Sequence, residues 1–412
     1  MSLFIIVTSL FTLSTVLSFI NARWIKLPGV IGVMLLSILT TLVTVVAGQI
    51  IPNFSSFINN LANAIDFSDT LLEVLLGFLL FSTALQFDIN RLKAYLSRIL
   101  IISTVGVLLS TLIFAGMLYY VLEMINLTIP FIFCLLFGAL IAPTDAVAVS
   151  ALLKETRMPK RLETIISGES LFNDGIGIVL FISFLRLIEI PERGFSLTDV
   201  AMLFAREVFG GLLIGVLLGW IATRMIRSIV DFQTIVLITL TLVMCISVIG
   251  GILFVSIPLA VVAAGLLVRN RAFINTKDHV NKYLQLFWKL VDDLLNIILF
   301  VLLGLQMGAV SFSVSHFIIG AIAVVLLLVA RALSITLPII FLKRTLKMQY
   351  NSIFILTWAG LRGAISIALA LSIPATPFRE TLLAAAFFIV VFSVLVQGLT
   401  LNSVVNKLVN KV

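Results

Sequence analysis

Apolar runs of roughly 20 residues follow one another along this chain from end to end, separated by short charged or Pro/Gly/Asn-rich breaks. About 20 mainly apolar residues is what an α-helix needs to cross a bilayer, so this repetition constrains the fold more than any single motif. The runs number about thirteen, at 2–20, 28–47, 67–87, 97–123, 129–153, 162–188, 201–229, 233–254, 257–269, 284–309, 316–342, 350–373 and 379–406. Composition removes the alternatives. Of 412 residues, 61% are hydrophobic and 11% charged, against about 25% charged in ordinary soluble domains. There is too little charge to cover a water-exposed surface, which excludes a soluble enzyme, a disordered chain and a disulfide-rich secreted module. The two cysteines, Cys134 and Cys245, lie inside apolar runs, so no disulfide framework is implied. The expected protein is an all-α, polytopic membrane protein.

The net charge of +8 is explained by where the basic residues sit. Arg23 and Lys26 follow run one; Arg91, Lys93 and Arg98 follow run three; Lys154, Arg157, Lys160 and Arg161 follow run five. Arg224 and Arg227 follow run seven, and Arg269, Arg271, Lys277 and Lys282 follow run nine. Lys343, Arg344 and Lys347 follow run eleven, and Lys407 and Lys411 close the chain. These are 20 of the 27 basic residues, all in every second loop; the opposite loops hold little beyond Arg193 and Arg379. By the positive-inside rule the N-terminus is outside and the C-terminus cytoplasmic. Charges that serve orientation leave no nucleic-acid partner to propose. The first run lacks a basic n-region and a small-residue cleavage site, so it reads as a helix rather than a signal peptide. Only Lys407 to Val412 follow the last run, so no soluble C-terminal domain is expected.

The runs carry a faint internal echo. Asp69-Thr-Leu-Leu-Glu73-Val-Leu-Leu resembles Asp292-Asp-Leu-Leu-Asn296-Ile-Ile-Leu, and the break Ala142-Pro143-Thr144-Asp145-Ala146-Val147-Ala148 matches Ala359-Gly360-Leu361-Arg362-Gly363-Ala364-Ile365. Each pair lies seven runs apart, so the partners run in opposite directions, as in transporters built from inverted repeats with interrupted helices at the midplane. The expected organisation is one transmembrane domain over 1–412: repeat one about 1–190, a linker helix about 200–230, and repeat two about 232–412. The two breaks lie in runs five and twelve. Pro143 removes a backbone donor, and Gly360 and Gly363 loosen run twelve. Backbone freed at membrane depth is tolerated only against protein or a wet cavity. Half-helix ends carry partial charges, which an acid and an arginine at matching positions, Asp145 and Arg362, can offset.

Few ionisable residues lie well inside the runs: Glu73, Asp145, Glu169, Asp174, Arg331 and Arg362. A charge at the centre of an isolated transmembrane helix costs at least roughly 2.5–3.5 kcal/mol, so each needs a partner or a role. In Ser167-Gly168-Glu169-Ser170-Leu171-Phe172-Asn173-Asp174-Gly175, spacings of three and four set Glu169, Ser170, Asn173 and Asp174 on one helical stripe. Oxygen-rich stripes suit hard cations, whereas zinc prefers His or Cys; His279 and His316 lie in or beside loops. Desolvation favours the neutral form of an acid and a bound cation favours the charged one. Such a group holds a proton or a small cation, not both, and alternate access to it from the two sides is antiport. Bland readings stand beside these. Asp145 and Asp174 also fit structural hydrogen-bonding acids, and Thr144 and Ser170 also fit hydroxyls bonded to backbone. Glu73 also fits a vestibule charge. Glu169 with Arg331 reads as a structural ion bridge, Arg362 as compensation of a helix end, and Asp292 and Asp293 as a solvated helix start.

At these residues the sequence resembles the monovalent cation/proton antiporters of sodium/proton exchanger type (NhaP-like). The carriers are Gly77-Phe-Leu-Leu-Phe-Ser-Thr-Ala-Leu85, Ala142-Pro-Thr-Asp-Ala-Val147, Ser167-Gly-Glu-Ser-Leu-Phe-Asn-Asp-Gly175 and Gly360-Leu-Arg-Gly-Ala364, in order along essentially the whole chain. The resemblance implies a fold of about 13 transmembrane helices in two inverted six-helix repeats, a dimerisation domain, a mobile ion-carrying core in which the broken helices of runs five and twelve cross, a homodimer and elevator-like access. It implies that Asp174 binds cation and proton in turn, with Asp145, Thr144 and Ser170 completing a monovalent-cation site. Asn173 marks the type linked to electroneutral exchange of one cation for one proton. Glu169 and Arg331 match a buried stabilising pair, Arg362 a crossover arginine, and Glu73 an acid near the site in some members. The chain departs from many relatives in lacking a long cytoplasmic tail, which points to a prokaryotic inner-membrane protein. The expected function is secondary antiport of Na+, or Li+ or K+, for H+ in pH and salt homeostasis. The partners are cations, protons and the lipid bilayer, with no cofactor and no enzymatic chemistry. Three alternatives are a K+/H+ antiporter, a sodium-coupled solute symporter and an intramembrane aspartyl protease. The Tyr-Asp and Gly-x-Gly-Asp signatures of the protease are absent.

Overall fold

The computed structural model describes residues 3–27, 29–48, 75–87, 89–145, 149, 158–189, 197–271, 278–308, 313–341 and 350–409, and among these every regular element is helical. Each of the thirteen apolar runs contains helix among the described residues. The helices are α1 (Leu3–Ile20), α2 (Gly29–Gly48), α3 (Leu76–Gln86), α4 (Ile89–Ile101), α5 (Val107–Met124), α6 (Phe131–Ile141), α7 (Lys160–Glu189) and α8 (Leu197–Arg227). They continue as α9 (Phe232–Leu253), α10 (Ile257–Arg271), α11 (Asp278–Gly308), α12 (Val314–Phe341), α13 (Tyr350–Trp358), α14 (Ala364–Leu371), α15 (Arg379–Phe392) and α16 (Leu399–Val409). Single π-helical turns, Ile102–Gly106 and Ser393–Gly398, join α4 to α5 and α15 to α16 without ending the rod.

Seven helical segments among the described residues are long and apolar enough to cross a membrane, from Phe4–Ile25 to Arg379–Leu408. Helices satisfy their own backbone groups, which hydrocarbon demands. Large apolar side chains such as Phe4, Met202, Phe209 and Leu213 are left exposed, as befits a surface whose solvent is lipid. The protein is a multi-pass membrane protein. Shorter apolar helices include α3, α6 and α10.

Small residues let some helices approach closely. On α8 a Cβ at Gly211 would stand 2.5 Å from the Ser256 carbonyl oxygen, one at Gly215 would overlap the Ala260 carbonyl, and one at Gly219 would stand 2.9 Å from Ala264 Cα. This glycine ladder seats α8 on α10. Elsewhere α9 begins with Asp231, whose Oδ2 accepts from Thr234 N at 2.8 Å and Thr234 Oγ1 at 2.6 Å, a side-chain cap for the first turn.

The helices pack as two groups. In one, α7 lies against α4 and α6, α5 against α6 and α12, and α12 and α14 against α15. In the other, α11 lies against α2 and α3, and α10 against α3 and α8. The groups touch where α7 meets α8 and α10 and where α14 meets α11. Two boundaries differ from the sequence reading. Run four starts eight residues early as α4, an amphipathic turn rich in charge. The helix of run ten starts at Asp278 rather than near residue 284, so Asp292 is mid-helix and buried, not a solvated start; Asp293 beside it is exposed.

Candidate functional site

Runs five and twelve are both interrupted. Helix α6 ends at Ile141 and the chain passes through Ala142, Pro143 and Thr144 to Asp145; helix α13 ends at Trp358 and α14 begins at Ala364. The breaks touch, because the Asp145 amide donates to the Leu361 carbonyl at 2.8 Å. Asp145 also opens the second half of its own run, since Val149 N donates to the Asp145 carbonyl at 3.2 Å. Its carboxylate lies against the α-carbon of Gly363, where a Cβ would overlap Oδ2. Gly363 is the residue before α14, so the acid faces the positive end of that half-helix. Gly363 is required for this approach rather than for backbone conformation, its φ being −121°. Pro143 in turn presses on α7, where a Cβ on Gly177 would overlap the proline ring.

Helix α7 runs past this crossing and brings its stripe to it. Glu169, Ser170, Asn173 and Asp174 are all buried, none more than 3% exposed. Ser170 Oγ and Thr144 Oγ1 are 2.8 Å apart, and Asn173 Nδ2 donates to Thr144 Oγ1 at 2.7 Å and to Glu169 Oε1 at 3.3 Å. The amide thus ties α7 to the break of run five. Arg331 on α12 meets Glu169 through two contacts of 2.7 Å, Nη2 to Oε2 and Nη1 to Oε1. The Nη2–Oε2 contact is a charge-assisted hydrogen bond and the Nη1–Oε1 contact a close charge pair without hydrogen-bond geometry; at this depth each partner neutralises the other.

Arg362 is fully buried in the second break. Its backbone amide donates to Ser393 Oγ at 2.7 Å, Ser393 Oγ donates to Gln397 Oε1 at 3.0 Å, and Gln397 Nε2 donates to the Trp358 carbonyl at 3.3 Å. The π-turn between α15 and α16 therefore holds the break and takes one carbonyl from the end of α13. The Arg362 guanidinium makes no hydrogen bond among the described residues; its charge acts through space, with Arg331, Glu169 and Asp174 as its neighbours.

Asp174 and Asp145 meet in a narrow cleft of about 30 Å³. Its other walls are Leu76, Leu79, Leu80 and Thr83 of α3, Asn296 and Leu299 of α11, and Gly363 to Ser366 at the start of α14. Two carboxylates face a small, mostly apolar space between the two helix groups. No group of three or more His, Cys, Asp or Glu residues suited to a resident metal exists among the described residues. What two acids and neighbouring hydroxyls can do is exchange a proton for a lightly held hard cation.

The structure thus brings together Asp174, Asp145, Thr144, Ser170, Asn173, Glu169, Arg331 and Arg362. Thr144 and Ser170 face each other rather than backbone. Glu73 lies outside the described residues. Sequence reading passed over Asn296, Ser366 and the Ser393–Gln397 bracket. Asn296 was visible in the echo with Glu73, but the others carry no pattern beyond a polar residue in an apolar run.

A profile of the family described as "Sodium/hydrogen exchanger, transmembrane" matches residues 8–407. The chain is 36% identical over 409 residues to the Na(+)/H(+) antiporter NhaP of Pseudomonas aeruginosa, covering 98% of this chain and 96% of that one. It is 31% identical over 347 residues to the Na(+)/H(+) antiporter NhaH of Halobacillus aidingensis, covering 83% and 84%. The solved sodium proton antiporter MjNhaP1 from Methanocaldococcus jannaschii superposes with a TM-score of 0.79 at 22% identity over 99% of each chain, which is a likeness of fold.

Proposed function

The chain belongs to the sodium/hydrogen exchanger family, and on that premise we propose that it exchanges Na+ for H+ one for one, by competition of the two ions for Asp174. It is a secondary transporter, not an enzyme. The observation that carries the reading is the placement of Asp174 and Asp145 in one cleft between the two helix groups. A carboxylate there carries a proton or a cation, and the second acid supplies the remaining field. Thr144 and Ser170 add hydroxyl oxygens at the edge of the site, while Asn173, as an amide, brings no third titrating charge to it. Glu169 and Arg331 cancel each other and leave the transported charge to the two aspartates. Arg362 offsets the negative half-helix end of α13 and the excess acid.

The same reading covers the motion. Helices α4–α7 and α12–α16 form the ion-carrying core, and α1–α3 with α9–α11 a scaffold that pairs with a second copy. Helix α8 links the inverted repeats, 1–190 and 232–412. The cleft lies between core and scaffold, which supports an elevator-like shift of the core that opens it to each side in turn. In the cell membrane, with the N-terminus outside and the C-terminus cytoplasmic, this exchange serves pH and salt homeostasis. The test is purified protein in liposomes with an internal pH dye, pulsed with Na+, Li+ or K+. Na+ is expected to drive proton flux that valinomycin leaves unchanged and Asp174→Asn abolishes. A large valinomycin effect contradicts the one-for-one ratio, dominance of K+ contradicts the ion, and full exchange by Asp174→Asn contradicts the site.

A further inference from the structure

The cleft has a wall that none of the four sequence motifs supplies. Asn296 lies mid-way along α11, is 2% exposed, and lines the cleft that Asp145 and Asp174 share. Its amide has a settled orientation. Nδ2 donates to the Asp292 carbonyl at 2.8 Å and to Asp292 Oδ1 at 3.2 Å, so both amide hydrogens are used on its own helix. Turning the amide over would set its oxygen against two acceptors. Oδ1 is therefore directed away from Asp292, on a residue that lines the cleft. An amide oxygen beside a cleft is free to accept from water or to meet a cation. Leucines line much of the cleft, the Thr83 hydroxyl is already given to the Leu79 carbonyl at 3.0 Å, and Ser366 is the other hydroxyl on its wall. The sequence points the same way: the internal echo pairs Asn296 with Glu73, so both segments of the echo carry an oxygen-bearing side chain at the matching sequence position.

We infer that Asn296 Oδ1 is a further cation ligand, coordinating the partly dehydrated monovalent cation across the cleft from Asp174 and tuning which cation is held and how tightly. The inference rests on the exchange reading above. An amide oxygen replaces a water of hydration without adding charge, so it leaves the one-for-one ratio and the proton competition untouched. The number and field strength of such oxygens set selectivity among monovalent cations. Because α11 belongs to the scaffold and Asp174 to the core, the cation bridges the two groups while it sits between them.

The test uses the full chain in liposomes, with Na+, Li+ and K+ titrated separately, and thermal unfolding of the solubilised protein with and without Na+. Asn296→Leu should raise the half-saturating Na+ about tenfold, as for one lost ligand contact, with the maximal rate little changed. Asn296→Gln, whose oxygen sits one methylene further out, should keep exchange and shift the Li+/Na+ preference by about threefold or more. Wild-type half-saturation and preference in both variants overturn the inference. So does a lower melting temperature without cation when half-saturation is unchanged, since Asn296 then only braces α11. Should the leucine variant not fold, the Li+/Na+ preference of Asn296→Gln decides alone. Asp174→Asn run in parallel keeps the two questions apart. If it is inactive while the Asn296 variants are normal, only the ligand role fails; if it exchanges normally, the exchange reading itself fails.

Discussion

Gly363→Ala adds one methyl group at the point where the two broken helices cross. The Cβ would overlap Asp145 Oδ2 and stand 2.6 Å from Asp145 Cγ and 2.8 Å from Asp145 Cβ. Backbone strain plays no part, because φ at Gly363 is −121° and alanine adopts that freely. The conflict falls on the carboxylate, and Asp145 cannot retreat as a whole, since its amide is held by the Leu361 carbonyl at 2.8 Å. Inserting a methyl into a packed interior costs about 1–3 kcal/mol. If that falls on the ion-bound state, the affinity for cation drops roughly 5- to 150-fold. The assay is cation-driven proton flux in liposomes across a wide Na+ range, beside the same alanine at Gly116, where a Cβ would meet nothing within 4 Å. Gly363→Ala is expected to raise half-saturating Na+ by at least the lower figure, and Gly116→Ala to leave it unchanged. Half-saturation within twofold of wild type in Gly363→Ala would refute the account of the crossing.

Other consequences follow from the same geometry. Arg331→Leu leaves the Glu169 carboxylate buried without its two-point partner and should cost about 3–5 kcal/mol of stability; in thermal unfolding, Glu169→Leu/Arg331→Leu should lose much less than the two single changes summed, and additivity would contradict the pairing. Asn173→Asp replaces the donor to Thr144 Oγ1 and Glu169 Oε1 with an acceptor, so it should lower stability by about 1–3 kcal/mol, and an unchanged melting temperature would count against that tie. At the head of α9, outside the membrane, the hydrogen bonds from Thr234 hold the Asp231 carboxyl below its ordinary value. Its capping contribution is therefore complete above the ordinary carboxylate pKa of about 3.9 and is lost as pH falls through the lower folded value. Hydrogen exchange at the Thr234 amide should accelerate on acidification relative to Asp231→Ala, in which protection is already low at neutral pH.

The features that sequence exposes best are those written in local pattern. Each apolar run contains helix among the described residues, because a helix satisfies its own backbone in lipid. Pro143 and the Gly360–Gly363 pair announced the breaks through the backbone chemistry of those residue types. Glu169, Ser170, Asn173 and Asp174 announced a stripe through helical spacing. The Glu169–Arg331 pair apart, the atomic contacts between distant segments carry no such pattern. Spacing puts Glu169 and Asn173 on one face but does not say that Asn173 reaches Thr144 while Asp174 turns towards the cleft. The echo between the two breaks does not say that the Asp145 amide meets the Leu361 carbonyl, and the Ser393–Gln397 bracket is an ordinary pair of polar residues until α15 packs beside Arg362. Asp292 is buried rather than part of a solvated helix start because α11 begins at Asp278, 14 residues before that acid.

One measurement bears most directly on the proposed competition at Asp174. Half-saturating Na+ for exchange is determined at a series of pH values, with equal pH on both sides of the liposome membrane. If proton and cation exclude each other from one acid, half-saturating Na+ should rise by about tenfold for each unit of acidification in the acidic limb, with the maximal rate recovered at high Na+. A half-saturation independent of pH, with the rate falling instead and not restored by Na+, would mean that proton and cation occupy different groups.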